Sequence, residues 1–456
     1  MFKEIIPFLM MALTVPVDGY TLEATYEGMD EGFLKTFEKL TKTITFHVKQ
    51  DQARHNITIE LKSSDQHVFT VEPDVISLDV LPSDTVSFNA TIIGLSVGVE
   101  ILTIKIISSE SSEFEEVVKV LRTPTILNFI FTYFLLIWLL ISYVSMGTKL
   151  DLKVIWGHLR RPVGVSIGML CQFIVMPLLA FCLANAILSD NRQSAVGLLV
   201  EGSCPGGWFS NIFTLLLDCD FILSLTMTFC STIAALAFMP LNLFIYAERF
   251  VDGDEALKTP FKEMIQQFAL MVAPALVGIF IRYKLSKVKN VCLCLLKPFA
   301  YVLIFVSTGL GVPSNLYVFQ GSWQIWLVCF LYPLVGGLLG FGISKITRRE
   351  REQAITIALE TGIQNSVLAT TVIRFAYPQP EADLVSRMPL LITITTLIEG
   401  CTLVLGYLVY VKFVQNKYKA VNEDDTAKVN EETGAPPPEN KDVDLSDINA
   451  SSATEA

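Results

Sequence analysis

Residues 204–211, with the sequence CPGGWFSN, place a proline and two glycines inside an apolar run that is otherwise long enough to form one helix. A second apolar run is interrupted in a similar way by residues 357–366, with the sequence IALETGIQNS. Proline removes a backbone donor and glycine lowers helix propensity, so we expect both helices to break here. Broken helices at membrane depth are tolerated where they face protein or a water-filled cavity, which makes both stretches candidate sites. The alternative is a simple packing kink.

The composition around these stretches is typical of a membrane protein. Of 456 residues, 52% are hydrophobic and 17% are charged, a balance too apolar for a soluble chain of this size. The formal net charge of −11 arises mainly in residues 1–120 and after residue 420, and no nucleic-acid partner is predicted. All nine cysteines lie between Cys171 and Cys401, in or beside apolar runs, and are interpreted as packing thiols.

Nine apolar runs after Pro124 are each long enough to cross the roughly 30 Å hydrocarbon layer as a helix. They lie near residues 125–146, 163–188, 195–217, 221–247, 262–282, 297–318, 323–345, 352–375 and 388–412. The interrupted runs are the third and the eighth, so they cross in opposite directions. Two discontinuous helices in opposite orientations predict an inverted-repeat transporter bundle in an all-α polytopic fold.

The segment before the first span has a different character. Residues 1–19 resemble a signal peptide, and residues 20–123 show short alternating runs separated by turns, which predicts a small extracellular β-sandwich. The sequons at Asn56 and Asn89 predict glycosylation in this domain.

The loops after the first, fifth and seventh spans each carry four Lys or Arg residues, which places them in the cytoplasm if the N-terminus is outside. The nine-helix transporter domain is then expected over residues 124–415, with a disordered acidic cytoplasmic tail over residues 416–456. We expect the plasma membrane rather than an internal one.

Polar side chains cluster at the two breaks. Glu360 and Gln364 are four residues apart, as are Ser224 and Thr228 in the fourth span, so each pair shares a helix face. Carboxylate, amide and hydroxyl oxygens suit a hard cation such as sodium. For Glu201 and Glu399, hydrogen bonding within the bundle and a direct role in transport remain equal alternatives.

These residues resemble the bile acid:sodium symporter family (solute carrier family 10). The resemblance is carried by residues 204–207 with Ser210 and Asn211, by Ser224 and Thr228, and by residues 360–362 with Gln364 and Asn365. It extends over roughly residues 125–412. The exported β-rich domain is similar to that of the branch with the P3 protein and the sodium/bile acid cotransporter five group.

The resemblance implies crossing broken helices, a core domain, a panel domain and two sodium sites. The first site would use Ser210, Asn211, Ser224, Thr228 and Glu360, and the second Gln172, Glu360, Gln364 and carbonyl oxygens near Thr361 and Ile363. The substrate cavity would involve Pro205, Gly206, Gly207, Trp208 and Asn365.

Sodium-coupled symport of an organic anion, either bile-acid-like or a sulfated steroid, is therefore the expected function. Sodium ions are the coupling ions, no other cofactor is expected, and the lipid bilayer is the surrounding partner. The alternative is a receptor or adhesion-type protein whose β-domain binds an unidentified partner on a retained transporter scaffold. An enzyme is not expected, because no nucleophile or metal cluster is paired with a base.

Overall fold

The computed structural model describes residues 15–17, 20–25, 34–50, 55–80, 85–107, 111–123, 125–149, 157, 162–251, 261–285, 302 and 306–433. Two compact units are present, of which the first ends at Ile398 and the second begins at Glu399. The predicted boundary between residues 123 and 124 lies within the first unit and stays a prediction.

Ten strands lie within the described residues of the N-terminal domain. They are β1 Val15–Val17, β2 Tyr20–Thr25, β3 Leu34–Phe37, β4 Thr41–Gln50, β5 His55–Ser63, β6 Phe69–Glu72, β7 Val75–Val80, β8 Thr85–Gly94, β9 Gly98–Ile107 and β10 Ser111–Leu121. One five-stranded sheet has the order β1-β2-β4-β8-β6 and the other β3-β10-β9-β5-β7. β1 lies inside the segment that we predicted to be a signal peptide.

The two sheets share one hydrophobic core, as expected for a β-sandwich. Along β9, Leu102, Ile104 and Ile106 are buried while the residues between them are more exposed, which is the period of two that the sequence shows. Phe46 on β4 lies opposite Phe88 on β8, and their rings stack with centroids 5.0 Å apart. Core residues from both sheets belong to the same cluster, so the β-rich domain has its own interior.

Helices make up the rest of the described chain. They are α1 Ile126–Lys149, α2 Val163–Leu170, α3 Met176–Ile187, α4 Arg192–Gly202, α5 Trp208–Leu216, α6 Phe221–Tyr246, α7 Glu248–Val251, α8 Phe261–Lys284, α9 Val312–Ser314, α10 Trp323–Ile346, α11 Arg351–Gly362, α12 Ser366–Ala376 and α13 Glu381–Thr433. A π-helical turn, Cys171–Val175, joins α2 to α3, a second, Ser307–Gly311, precedes α9, and a 3₁₀ helix, Leu316–Gln320, follows it.

Five segments within the described residues are long and apolar enough to cross a membrane. They are Ile126–Ser145, Val163–Ile187, Phe221–Tyr246, Trp323–Ile346 and Glu381–Phe413. These match the first, second, fourth, seventh and ninth predicted spans. The third and eighth are each divided into two shorter helices, and the fifth coincides with α8. The sixth is described only at residues 302 and 306–318. The total of nine spans therefore stays a prediction.

The last helix differs from its prediction. α13 begins at Glu381 and continues to Thr433, so a helix occupies residues 416–433, where we predicted disorder. Lysine, alanine and glutamate in this stretch favour helix even though it offers little apolar surface to bury. The rest of the predicted tail, residues 434–456, lies outside the described residues.

The β-rich domain is docked onto the helices by apolar and ionic contacts. Val97, between β8 and β9, belongs to the main hydrophobic cluster of the helical region. Lys119 Nζ on β10 lies 2.6 Å from Glu381 Oε1 in the first turn of α13. Arg122 Nη2 lies 3.2 Å from Asp383 Oδ1, and Arg122 Nη1 donates to the Ser314 carbonyl oxygen at 2.8 Å. The sandwich thus contacts two separate helical segments.

Candidate functional site

The third span breaks where proline and glycine predicted it. α4 ends at Gly202, and the chain stays outside regular helix until α5 begins at Trp208. Gly207 has extended backbone angles, φ −87° and ψ 161°. The eighth span breaks in the same way, since α11 ends at Gly362 and Ile363 is extended, with φ −102° and ψ 96°.

The two breaks lie against each other. The Gly207 amide donates to the Ile363 carbonyl at 2.9 Å, and the Asn365 amide donates to the Pro205 carbonyl at 3.0 Å. Gly206 and Gln364 form an antiparallel bridge between these bonds. Each unwound segment therefore satisfies backbone groups of the other, which is the condition for irregular backbone in a membrane interior.

Glycine is required at this crossing because the approach is too close for a side chain. A Cβ atom on Gly206 would lie 2.2 Å from Glu360 Oε1, and one on Gly207 would lie 2.4 Å from the Gln364 carbonyl oxygen. The second contact is with backbone, which cannot move aside without disturbing the crossing.

All five residues of the first predicted ion set converge on one carboxylate. Glu360, which is 1% exposed, accepts the Ser210 hydroxyl at 2.5 Å and the Ser224 hydroxyl at 3.1 Å through Oε2. Its Oε1 accepts the Thr228 hydroxyl at 2.5 Å. Asn211 donates to Thr228 Oγ1 at 3.1 Å and accepts from Ser224 Oγ at 3.0 Å. Among the described residues, no Lys, Arg or His pairs with this carboxylate.

The second predicted ion set is brought together only in part. Gln172, in the π-helical turn, donates to Gln364 Oε1 and to the Cys204 carbonyl oxygen, and Gln364 donates to the Thr361 carbonyl oxygen at 3.0 Å. Within the described residues, the Glu360 carboxylate accepts its hydrogen bonds from Ser210, Ser224 and Thr228, which belong to the first set. The Ile363 carbonyl oxygen, expected as a ligand, accepts the Gly207 amide at 2.9 Å, and its role as a ligand stays a prediction.

A cleft with about 580 Å³ of empty space opens beside the crossing. Its lining includes Trp208 and Asn365, two of the residues expected in the substrate cavity, together with Thr228 and Gln364 from the two ion sets. Pro205, Gly206 and Gly207 are not among the lining residues and are buried in the crossing. A second cleft, with about 570 Å³ of empty space, shares Ser366, Val367 and Thr393 with the first.

The cleft also has walls that the sequence reasoning missed. Trp138, Leu139, Ser142 and Tyr143 of α1 line it, and Asn365 Nδ2 donates to the Tyr143 hydroxyl at 3.1 Å. In the sequence, Tyr143 within the first apolar run is the feature that could have indicated this wall. Asn365 also caps α12, since its Oδ1 accepts from the Leu368 amide at 3.1 Å.

The predicted glycosylation sites lie on strands of the sandwich. Asn89 is exposed on β8, and its Oδ1 accepts from Thr45 Oγ1 at 2.9 Å. Asn56 lies on β5, opposite Asp79 of the edge strand β7. Use of either sequon stays a prediction.

Comparison with known proteins supports the resemblance. A family model described as the Sodium Bile acid symporter family matches residues 135–322. The P3 protein of Bos taurus is 34% identical over 279 residues, which are 61% of this chain and 58% of that protein, so this chain spans less than two thirds of that relative.

Two named transporters are matched over more of their length. The sodium-dependent organic anion transporter of Bos taurus is 31% identical over 310 residues, or 68% of this chain and 81% of the relative. The ileal sodium/bile acid cotransporter of Cricetulus griseus is 33% identical over 291 residues, or 63% of this chain and 82% of the relative.

Proposed function

This chain belongs to the sodium bile acid symporter family, and on that premise we propose that it carries an organic anion across the membrane coupled to sodium ions. The family consists of transporters, which are not enzymes. At the level of the family, the function is therefore membrane transport by sodium symport. The receptor or adhesion alternative gains no support from the family match, which is to symporters.

The observation that carries the proposal is the buried Glu360 carboxylate with its ring of oxygens. Three hydroxyl groups donate to it, and the Asn211 side chain is hydrogen-bonded to two of these hydroxyls. Among the described residues no basic side chain neutralises it. A buried charge without a partner costs several kcal/mol. A sodium ion bound by these oxygens would remove that cost, so the set of ligands suits a hard monovalent cation.

The cleft supports an amphipathic organic anion as the substrate. Its lining includes the rings of Trp138, Tyr143, Trp208 and Phe209, and no Lys or Arg occurs among its lining residues in the described part of the chain. Thr228 and Gln364 line the cleft and also belong to the ion sets. The positive charge that an anion needs would then come from sodium beside the cleft. A bile-acid-like compound or a sulfated steroid has this character.

The finer architecture forms part of the proposal. It comprises nine spans with an inverted repeat, the β-rich domain outside the cell, the C-terminal segment in the cytoplasm and a location in the plasma membrane. The antiparallel bridge between Gly206 and Gln364 supports opposite orientations of the two broken spans. Each sodium ion that moves inward down the membrane potential releases about 2.3 kcal/mol per 100 mV, so two ions could drive a monovalent anion uphill.

The test is uptake of labelled taurocholate and steroid sulfates in sodium buffer against choline buffer. We expect sodium to raise uptake about tenfold or more, which corresponds to roughly 1.4 kcal/mol of coupling or more. Glu360→Gln should abolish this stimulation, whereas Glu352→Gln, an exposed acid on the same helix, should keep it. Sodium-independent uptake, or full stimulation in Glu360→Gln, would refute the coupling.

A further inference from the structure

The crossing holds a second carboxyl group whose contacts mirror those of Glu360. Glu360, in the last turn of α11, accepts the hydroxyl of Ser210 from the first turn of α5 at 2.5 Å. Glu201, in the last turn of α4, accepts the hydroxyl of Ser366 from the first turn of α12, also at 2.5 Å. Each broken span therefore ends its first half on a carboxyl group that binds a serine of the other span.

The surroundings of the two carboxyl groups differ in the oxygens they offer. At Glu360, helix α6 adds the hydroxyl groups of Ser224 and Thr228. At Glu201, the second carboxylate oxygen has no hydrogen-bond partner within the described residues, although the side chain is 0% exposed. One turn earlier, at Gly197, α4 packs against the Val385 carbonyl oxygen and the Met388 side chain of α13.

Among the described residues, thiol and phenol groups lie near Glu201. Cys204 in the crossing and Cys329 and Tyr332 on α10 lie close enough to interact with it electrostatically. The Tyr332 hydroxyl lies beside Gly202, since a Cβ atom there would be 3.1 Å from it. In the described part of the chain this hydroxyl has no hydrogen-bond partner, and no Lys, Arg, His or other acid is bonded to Glu201.

A sodium ion needs several oxygen ligands, whereas a proton needs one acceptor. An unpaired carboxylate in a buried site costs several kcal/mol, and a proton removes that cost without further ligands. We propose that Glu201, with Ser366 and Tyr332, forms a proton-binding site that is separate from the sodium ligands.

Proton binding at this site would affect transport through Ser366. This residue begins α12, follows the helix cap Asn365 and lines both clefts. A carboxylate at Glu201 would draw water or a cation into the crossing, while the neutral acid keeps the closed packing. Uptake should therefore fall as the pH rises. This consequence rests on the proposed symport, whereas proton binding itself does not.

The direct test is infrared spectroscopy of the purified full-length protein in saturating sodium, titrated from acid to alkaline pH. One component of the carbonyl band of protonated carboxylic acids should titrate in the wild type and be missing in Glu201→Gln, whereas the components from other carboxyl groups, such as Glu116, appear in both proteins. Glu360→Gln is the matched control and should keep the titrating component. A carbonyl band that is unchanged in Glu201→Gln would overturn the assignment, whether or not the protein transports any anion.

The second readout is the ratio of sodium-driven taurocholate or steroid sulfate uptake at pH 6 and pH 8. A single titrating proton predicts a ratio of about two or more in the wild type and of about one in Glu201→Gln. Equal ratios in the two proteins would contradict the proposal. If Glu201→Gln fails to reach the membrane, Tyr332→Phe and Ser366→Ala should each shift the midpoint of the infrared titration. An unshifted midpoint in both variants would overturn the site.

Discussion

The contact between Lys119 and Glu381 provides a sharp test of how the β-rich domain is attached. The two side chains are 10% and 2% exposed, and their charged atoms lie 2.6 Å apart. Lys119→Ala would leave Glu381 buried beside Asp383, with Arg122 as the nearby cation. Loss of one member of a buried ion pair typically costs about 3–5 kcal/mol. We expect the lower end of this range, because Arg122 remains.

The cysteines offer an assay that reports on the helices alone. All nine lie between Cys171 and Cys401, and Cys171, Cys204 and Cys329 are buried free thiols. Heating the purified full-length protein with a thiol-reactive dye therefore measures the temperature at which the helical region opens to the dye. Lys119→Ala should lower the temperature of this transition by several degrees. Lys62→Ala, an exposed lysine on β5, should leave it unchanged.

The double variant Lys119→Ala/Glu381→Gln separates an ion pair from simple packing. Removing both charges leaves no unpaired buried carboxylate at position 381, so the double variant should be more stable than Lys119→Ala alone. Additive losses in the two single variants, or a normal transition in Lys119→Ala, would refute the view that this ion pair couples the sandwich to the helices.

Three further predictions follow from individual contacts. Gly206→Ala should reduce sodium-driven uptake at least about tenfold, because its Cβ atom would meet Glu360 Oε1 at 2.2 Å; normal uptake would contradict the close approach. Asn365→Ala should lower stability in the thiol assay by about 1 kcal/mol through loss of the α12 cap, whereas Asn365→Ser should retain most of it. Burial raises the pKa of Glu116 on β10, which penalises its carboxylate in the folded state. Glu116→Gln should therefore slow hydrogen exchange of β10 in the full-length protein at neutral pH, and the gain should vanish as the pH falls through the raised pKa towards the ordinary value of about 4.5. A gain that persists at low pH would exclude this cause.

Local chemistry explains which features could be predicted from the sequence. The breaks at Pro205 and Gly362 follow from backbone properties of single residues, and the shared faces of Ser224 with Thr228 and Glu360 with Gln364 follow from helical spacing. Both kinds of information lie within a few residues of the feature. The strands β4, β7 and β9 were predictable for the same reason, since the alternation that marks them is local.

The features that were missed depend on contacts between distant parts of the chain. Lys119 meets Glu381, and Tyr143 meets Asn365, although nothing near either residue in the sequence specifies its partner. The π-helical turn that holds Gln172 is also invisible in an apolar run, because its hydrogen-bond pattern leaves the hydrophobic composition unchanged. The extension of α13 to Thr433 shows that helix propensity can outweigh a polar composition that favours disorder.

The geometry of the crossing also suggests why substrate and sodium would be coupled. Thr228 donates to Glu360 and lines the cleft, so an anion in the cleft would lie one side chain away from the ion set. Sodium bound there would attract the anion, and thermodynamic linkage requires the anion to raise sodium affinity by the same factor. Thr228→Val would keep the shape of the side chain but remove the shared hydroxyl. Sodium should then bind more weakly, and the dependence of its affinity on the anion should shrink with it.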